Sequence, residues 1–260
     1  MKYLQSRVQQ FIPSATKRSS SALSETSLSL DFPHRLFTPE HYEPNYAYPL
    51  VIWLHSQDSS EYELDSVIPH LSIRNYVALA IRGLRASRVK ERCFRWGKSS
   101  SAMTTVEDYV PQAIKAISEH ISVDRRKVFL MGIGAGGTLA QWLGMRNSQN
   151  FAGVVSIHGG FPRRSDTLVH WKAARKLPVL MMYGESSDLC DADEVCRSLR
   201  NVHSAGLRYQ FAQFATGDDL DTGMTSCANQ FMMDLVADRS NESTSAPLLE
   251  AHASARFDKN

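Results

Sequence analysis

The chain has 260 residues, 43% of them hydrophobic, and a formal net charge of +2. That is enough apolar material for one sizeable domain, and the near balance of charge gives no electrostatic footprint for a nucleic-acid partner. No run of about 18 apolar residues occurs, so no membrane-spanning helix is expected.

Residues 1 to 30 are polar and serine-rich ("KRSSSALSETSLS") and lack periodicity, which predicts a disordered arm. The opening "MKYLQSRVQQFIPSATKRSSSA" has no long apolar segment of the kind a secretory signal carries. Cys93, Cys190, Cys196 and Cys227 form no CxxC pair and no zinc spacing. They are read as mostly buried thiols in a reducing, cytoplasmic setting.

From residue 31 to 237 strand and helix signals alternate. "YPLVIWLH" (48–55) is a continuous apolar run, as a strand buried on both faces requires. "YVALAIRG" (76–83), "KVFLMG" (127–132), "FAGVVSIHG" (151–159) and "LPVLMMYG" (177–184) repeat it, each ending in glycine where the chain must turn. In "TTVEDYVPQAIKAISEHI", Val106, Val110, Ala113, Ile114, Ile117 and Ile121 fall on one helical face, and Thr104 with Glu107 fits a capping box. In "DADEVCRSLRNVHSAG", Val195, Leu199 and Val202 form a stripe, with Asp191 as the cap and Gly206 as the stop. Residues 238–260 predict a second polar, disordered tail. The alternation implies a mostly parallel sheet covered by helices on both faces.

The glycine cluster in "FLMGIGAGG" (129–137) raises the question of chemistry. Gly132, Gly134 and Gly137 match a dinucleotide fingerprint formally. However, at least two strands precede them, and the next strand ends in "SIHGG" without an acidic residue. A phosphate loop needs GK[ST], and "GGTLA" has no lysine. The remaining pattern is the nucleophile elbow, G-x-S-x-G, which "GIGAG" matches at both outer glycines, with Gly134 at the centre where serine belongs.

Over residues 34 to 237 the chain resembles the α/β-hydrolase superfamily, and most closely its phospholipase/carboxylesterase and dienelactone-hydrolase-like esterases. "YPLVIWLH" is similar to the strand before their oxyanion loop, "DRRKVFLMGIGAGGTLAQWLG" to their elbow segment and its helix, and "LPVLMMYGESSD" to the strand that delivers the catalytic acid. The resemblance implies an α/β-hydrolase fold with a mostly parallel sheet of about seven or eight strands.

It also implies where a serine, a histidine and a carboxylate should stand. Gly134 occupies the nucleophile position. Asp188 is the match for the acid, four residues after Gly184 rather than the usual three, with Asp191 as its alternative. Asp218 stands in "GDDL" where relatives carry the histidine, and no histidine lies between His203 and His252. The oxyanion loop reads His55-Ser56 in place of "HG", with the backbone N–H of Ala135 as the other expected donor. His158 is expected at the same cleft.

An Asp–Asp–Gly set cannot run an acyl-enzyme route, so the expectation is a non-catalytic relative of serine esterases that binds a small acyl-type ligand or a protein partner. Two alternatives stay open. One is an ester hydrolase with a displaced nucleophile (Ser56 or Ser156) or metal-bound water held among His55, His158, Asp188, Asp218 and Asp219. No H-x-x-H spacing supports that metal set, and no cofactor is expected. The other is an interaction protein acting through its tails. Trp53, Trp96, Trp142 and Trp171 are expected to pack in the core or cleft, "FRWGKSSS" (94–101) to form the cleft rim, and "RASRVKER" to be an exposed face.

Overall fold

The computed structural model describes residues 28, 30–97, 99–164, 166, 167 and 169–250. In chain order its elements are β1 (His34–Phe37), β2 (Tyr48–Leu54), α1 (Leu64–Leu71), β3 (Val77–Ile81), a ribbon of β4 (Arg85–Ala86) and β5 (Phe94–Arg95), α2 (Ser100–His120) and β6 (Val123–Ile133). There follow α3 (Ala135–Arg146), β7 (Gly153–Ile157), the short α4 (Trp171–Ala174), β8 (Val179–Gly184), α5 (Ala192–Ala205), β9 (Tyr209–Phe214) and α6 (Thr222–Glu250). Seven strands form one sheet in the order β1-β3-β2-β6-β7-β8-β9. β1 runs antiparallel to β3, and every other pairing in that sheet is parallel. This is the α/β-hydrolase fold expected from the sequence.

The continuous apolar runs are explained by burial on two faces. Along β2 successive side chains point to opposite sides of the sheet. Leu50, Ile52 and Leu54 join α2 and α3 through Val106, Val110, Ile117 and Leu139. Val51 and Trp53 join α1 and α6 through Val67, Ile68, Met224 and Met232. All seven residues of β2 are buried.

Several sequence expectations need correction. Helix α2 begins four residues before the expected capping box. Ser99 is its N-cap, accepting the Ala102 N–H at 3.3 Å. Thr104 lies inside the helix and donates to the Ser100 carbonyl, while Glu107 reaches across to Arg146 and Asn147. Helix α5 has its expected cap, Asp191, and its stop at Gly206 (φ 62°), but Leu199 is 40% exposed and leaves the stripe that Val195 and Val202 bury. Trp171 is likewise exposed, with the Arg175 guanidinium over its ring.

The chain from 238 to 250 continues α6 as helix rather than forming a structureless tail, and residues 251–260 lie outside the described residues. Most of the expected N-terminal arm lies outside them too. At its end Leu28 is buried in the core and Leu30 packs against it. Among the described residues no helix is long and apolar enough to cross a membrane. All four cysteines are free, with Cys190 buried and Cys196 exposed.

Candidate functional site

At the carboxyl end of β6 the chain reverses into α3 through Gly134, whose backbone lies at φ 54° and ψ −116°. A side chain is strained there and glycine is not. The turn is tight because β2 crosses it closely. A Cβ on Gly136 would lie 2.0 Å from the Leu54 carbonyl oxygen, and one on Gly132 would lie 2.6 Å from the same atom. These glycines let the helix start directly beneath two strand ends. In front of Gly134 the space is open as far as the Leu189 methyls, 3.6 and 4.0 Å from where a Cβ would stand.

This turn opens into a cavity of about 560 Å³. The strand ends supply its floor: Gly134, Ala135 and His158. Asp188 and Leu189 come from the segment after β8, and Trp96 and Met103 form an apolar wall. The cavity thus lies outside the carboxyl ends of β6, β7 and β8, where open α/β sheets hold ligands.

His158 follows β7 at φ 51°, a left-handed conformation that histidine adopts more readily than most residues. The residue is 1% exposed. Nδ1 accepts the Gly184 N–H at 3.3 Å, which places the proton of the neutral ring on Nε2. Nε2 is buried and has no hydrogen-bond partner among the described residues. Burial holds the ring below the ordinary histidine range, against the opposing pull of Asp218, Asp219 and Asp221.

Asp188 lines the cavity, but Asp218 does a different job. One Asp218 oxygen accepts the Ser187 hydroxyl at 2.7 Å and the amides of Asp188 and Leu189 at 2.9 and 3.2 Å. It ties down the segment that carries Asp188 and Leu189.

The expected oxyanion pair does not reach the cavity. The Ser56 N–H is taken by a Glu63 oxygen at 2.9 Å, and the Ser56 hydroxyl donates to the other oxygen at 2.5 Å. His55 is wholly buried, donating from Nδ1 to the Ser56 carbonyl and accepting the Gly83 N–H at Nε2. Trp96 stacks on its ring and donates to its carbonyl. Burial lowers the His55 pKa, with the Ser56 carbonyl and the charge of Glu63 acting against it. His55 and Ser56 therefore brace the loop whose next residue, Gln57, lines the cavity.

Ser156 is also locked in the interior, accepting from Gln141 and donating to the Gly159 carbonyl. Among the described residues no group of three or more His, Cys, Asp or Glu side chains is arranged to hold a metal ion. Gly134, Ala135, His158 and Asp188 are thus brought together, and His55 and Ser56 stand behind them. Sequence reasoning missed Gln57, Met103 and Leu189. For Leu189 the signal was a lone leucine inside an otherwise polar loop, "GESSDLCDADE".

Comparison with solved structures agrees with this architecture. A carboxylesterase from Bacillus cereus superposes with a TM-score of 0.62 at 16% identity, covering 80% of this chain and 96% of its own. A carboxylesterase from Mesorhizobium loti gives 0.63 at 15% identity, covering 82% and 98%. A ferulic acid esterase gives 0.58 at 14%, covering 78% and 90%. At such identities the likeness is one of fold. No curated protein matches the sequence. The family model for esterase PHB depolymerase, however, matches residues 40–195, more than half of the chain, and spans both β2 and the glycine turn. The chain belongs to the esterase PHB depolymerase family.

Proposed function

We propose that the protein is a non-catalytic relative of the serine esterases, and that it uses the retained cleft to bind a small acyl-type ligand. The observation that carries this reading is Gly134. It sits at the apex of an elbow-shaped turn with no side chain to acylate, and the apolar Leu189 faces it.

Two further observations support it. Asp218, at the position where the resemblance calls for a histidine, is engaged with the Ser187–Leu189 segment. The two serines expected as candidate displaced nucleophiles, Ser56 and Ser156, have their hydroxyls committed to Glu63 and to Gln141 and Gly159. A serine without a base is a weak nucleophile.

The test is hydrolysis of short-chain p-nitrophenyl esters by the purified protein beside Asp188→Ala. No turnover above buffer in either is the expected outcome. Turnover by the wild type that vanishes in the variant would establish a working site and overturn the reading.

A further inference from the structure

We propose a second binding site at the end of the sheet away from the cleft. There the groove between α2 and α3 takes a small organic monocarboxylate with an apolar body. The carboxylate pairs with Arg125 and Lys115, and the body lies over Ile114 and Pro111. The site stands whether the cleft binds or cleaves.

The first observation is the groove itself. Its volume is about 460 Å³, within the range of small-molecule sites. Residues three and four apart share a helix face, and so α2 supplies Pro111, Ile114 and Lys115 to one wall. Leu143 and Phe151 are buried and close the floor, while Pro111 is exposed and Ile114 partly so. Arg125 stands at the rim, near the start of β6, whose other end opens on the cleft.

The second observation is charge. Lys115, Arg125 and Arg126 line the groove against one acid, Glu107. Glu107 is already paired with Arg146 at 3.0 Å, and Arg126 with Asp124 at 3.2 Å. Lys115 and Arg125 form no ion pair among the described residues, although Glu119 lies one turn beyond Lys115 on α2. Two uncompensated cations beside an apolar floor complement an anion with an apolar body.

The third is that Arg125 is held in place. Its Nε donates to the Ser118 hydroxyl at 3.1 Å, and that hydroxyl donates to the Ile114 carbonyl at 2.6 Å. The other guanidinium N–H groups have no partner among the described residues, and their planar fork matches the two oxygens of a carboxylate. α3 ends on this groove at Asn147, and the carboxyl end of a helix carries partial negative charge. That favours one negative charge over the two of a phosphate ester.

Sodium phenylacetate is the probe, with neutral phenylacetamide as its control. In calorimetry on the full chain the carboxylate is expected to bind saturably and the amide about fivefold more weakly. Added salt should weaken the carboxylate alone. Arg125→Gln is expected to weaken the carboxylate about fivefold, with the melting temperature retained because the side chain is exposed. Ser118→Ala leaves the charge and removes its brace, and should weaken the carboxylate about twofold. Amide-proton spectra give the location. On saturation the shifts are expected at Leu143, Asn147 and Phe151 and not at Gly134 and Ala135 of the cleft.

Absence of saturable binding, phenylacetamide binding as tightly as phenylacetate, or unchanged affinity in Arg125→Gln would each overturn the proposal. So would shifts confined to the cleft. Phenyl phosphate binding more tightly than phenylacetate would overturn the choice of a monocarboxylate. Concentration-dependent dimerisation that Arg125→Gln abolishes would put a second copy of the chain on the groove and overturn the small-molecule site. Ester turnover at the cleft bears on the non-catalytic reading alone.

Discussion

The carboxylate of Asp218 holds the amide of Asp188 at 2.9 Å, so the aspartate after β9 fixes the position of the aspartate after β8. The same oxygen takes the Ser187 hydroxyl and the Leu189 amide. Asp218→Ala should release this segment and cost about 1 kcal/mol, since the bonds lie near solvent. Asp218→Asn keeps an acceptor and should cost less. Hydrogen exchange at the Asp188 and Leu189 amides checks this directly. Equal protection in wild type and Asp218→Ala would show that the clasp does not hold the segment.

Gly134→Ser places a Cβ where φ is 54° and ψ is −116°. The nearest atoms, the Leu189 methyls, leave room for it, so the cost is conformational. A loss of about 1–2 kcal/mol in urea unfolding is expected, with no ester hydrolysis gained. An unchanged or raised unfolding midpoint would remove the argument that the turn is strained.

Gly136→Ala should be far worse. Its Cβ would stand 2.0 Å from the Leu54 carbonyl oxygen and 2.5 Å from that of His55, both backbone atoms that cannot swing aside. Destabilisation of about 3 kcal/mol or more is expected, visible as insoluble protein or a collapsed melting temperature. A well-folded Gly136→Ala protein would mean that β2 and α3 are farther apart than described.

The two buried histidines, His55 and His158, are held below their ordinary pKa by burial. The unfolded chain therefore takes up protons first as pH falls. Stability is complete above about pH 6.5 and declines below it, by up to about 1.4 kcal/mol per pH unit for each histidine still neutral in the fold. Denaturation midpoints measured at several pH values should show this decline, and His158→Asn should make it shallower. An identical slope in that variant would show that His158 does not contribute.

The sheet was legible because its central strands are buried on both sides and so leave unbroken apolar runs, as in Leu50 to Leu54. The turn at Gly134 was legible because glycine is the residue that such a backbone leaves unstrained. What escaped the sequence was pairing at a distance. Glu63 lies in the turn before α1, yet its carboxylate takes both donors of Ser56 and the indole N–H of Trp53. No local pattern announces that the donors of Ser56 are already taken. Glu107 misled for the same reason. Three residues after Thr104 it reads as half of a cap, but Arg146 and Asn147 lie close enough to claim it. His158 was visible as a cleft residue. The direction of its proton was not, because that is set by the Gly184 amide on a neighbouring strand.

The hydroxyl of Tyr76 donates to Asn229 at 2.8 Å, joining the chain just before β3 to α6 across 153 residues. Met224, Ala228, Phe231, Met232 and Leu235 of that helix complete the core that Val51, Trp53 and Phe129 face. One side of the sheet is therefore finished by the last described element to be synthesised. Until α6 arrives, a nascent chain shows an apolar sheet face to its surroundings, and closing so long a loop is slow. The fold is thus exposed to aggregation late in translation, and chaperone demand should fall sharply once residue 236 clears the ribosome.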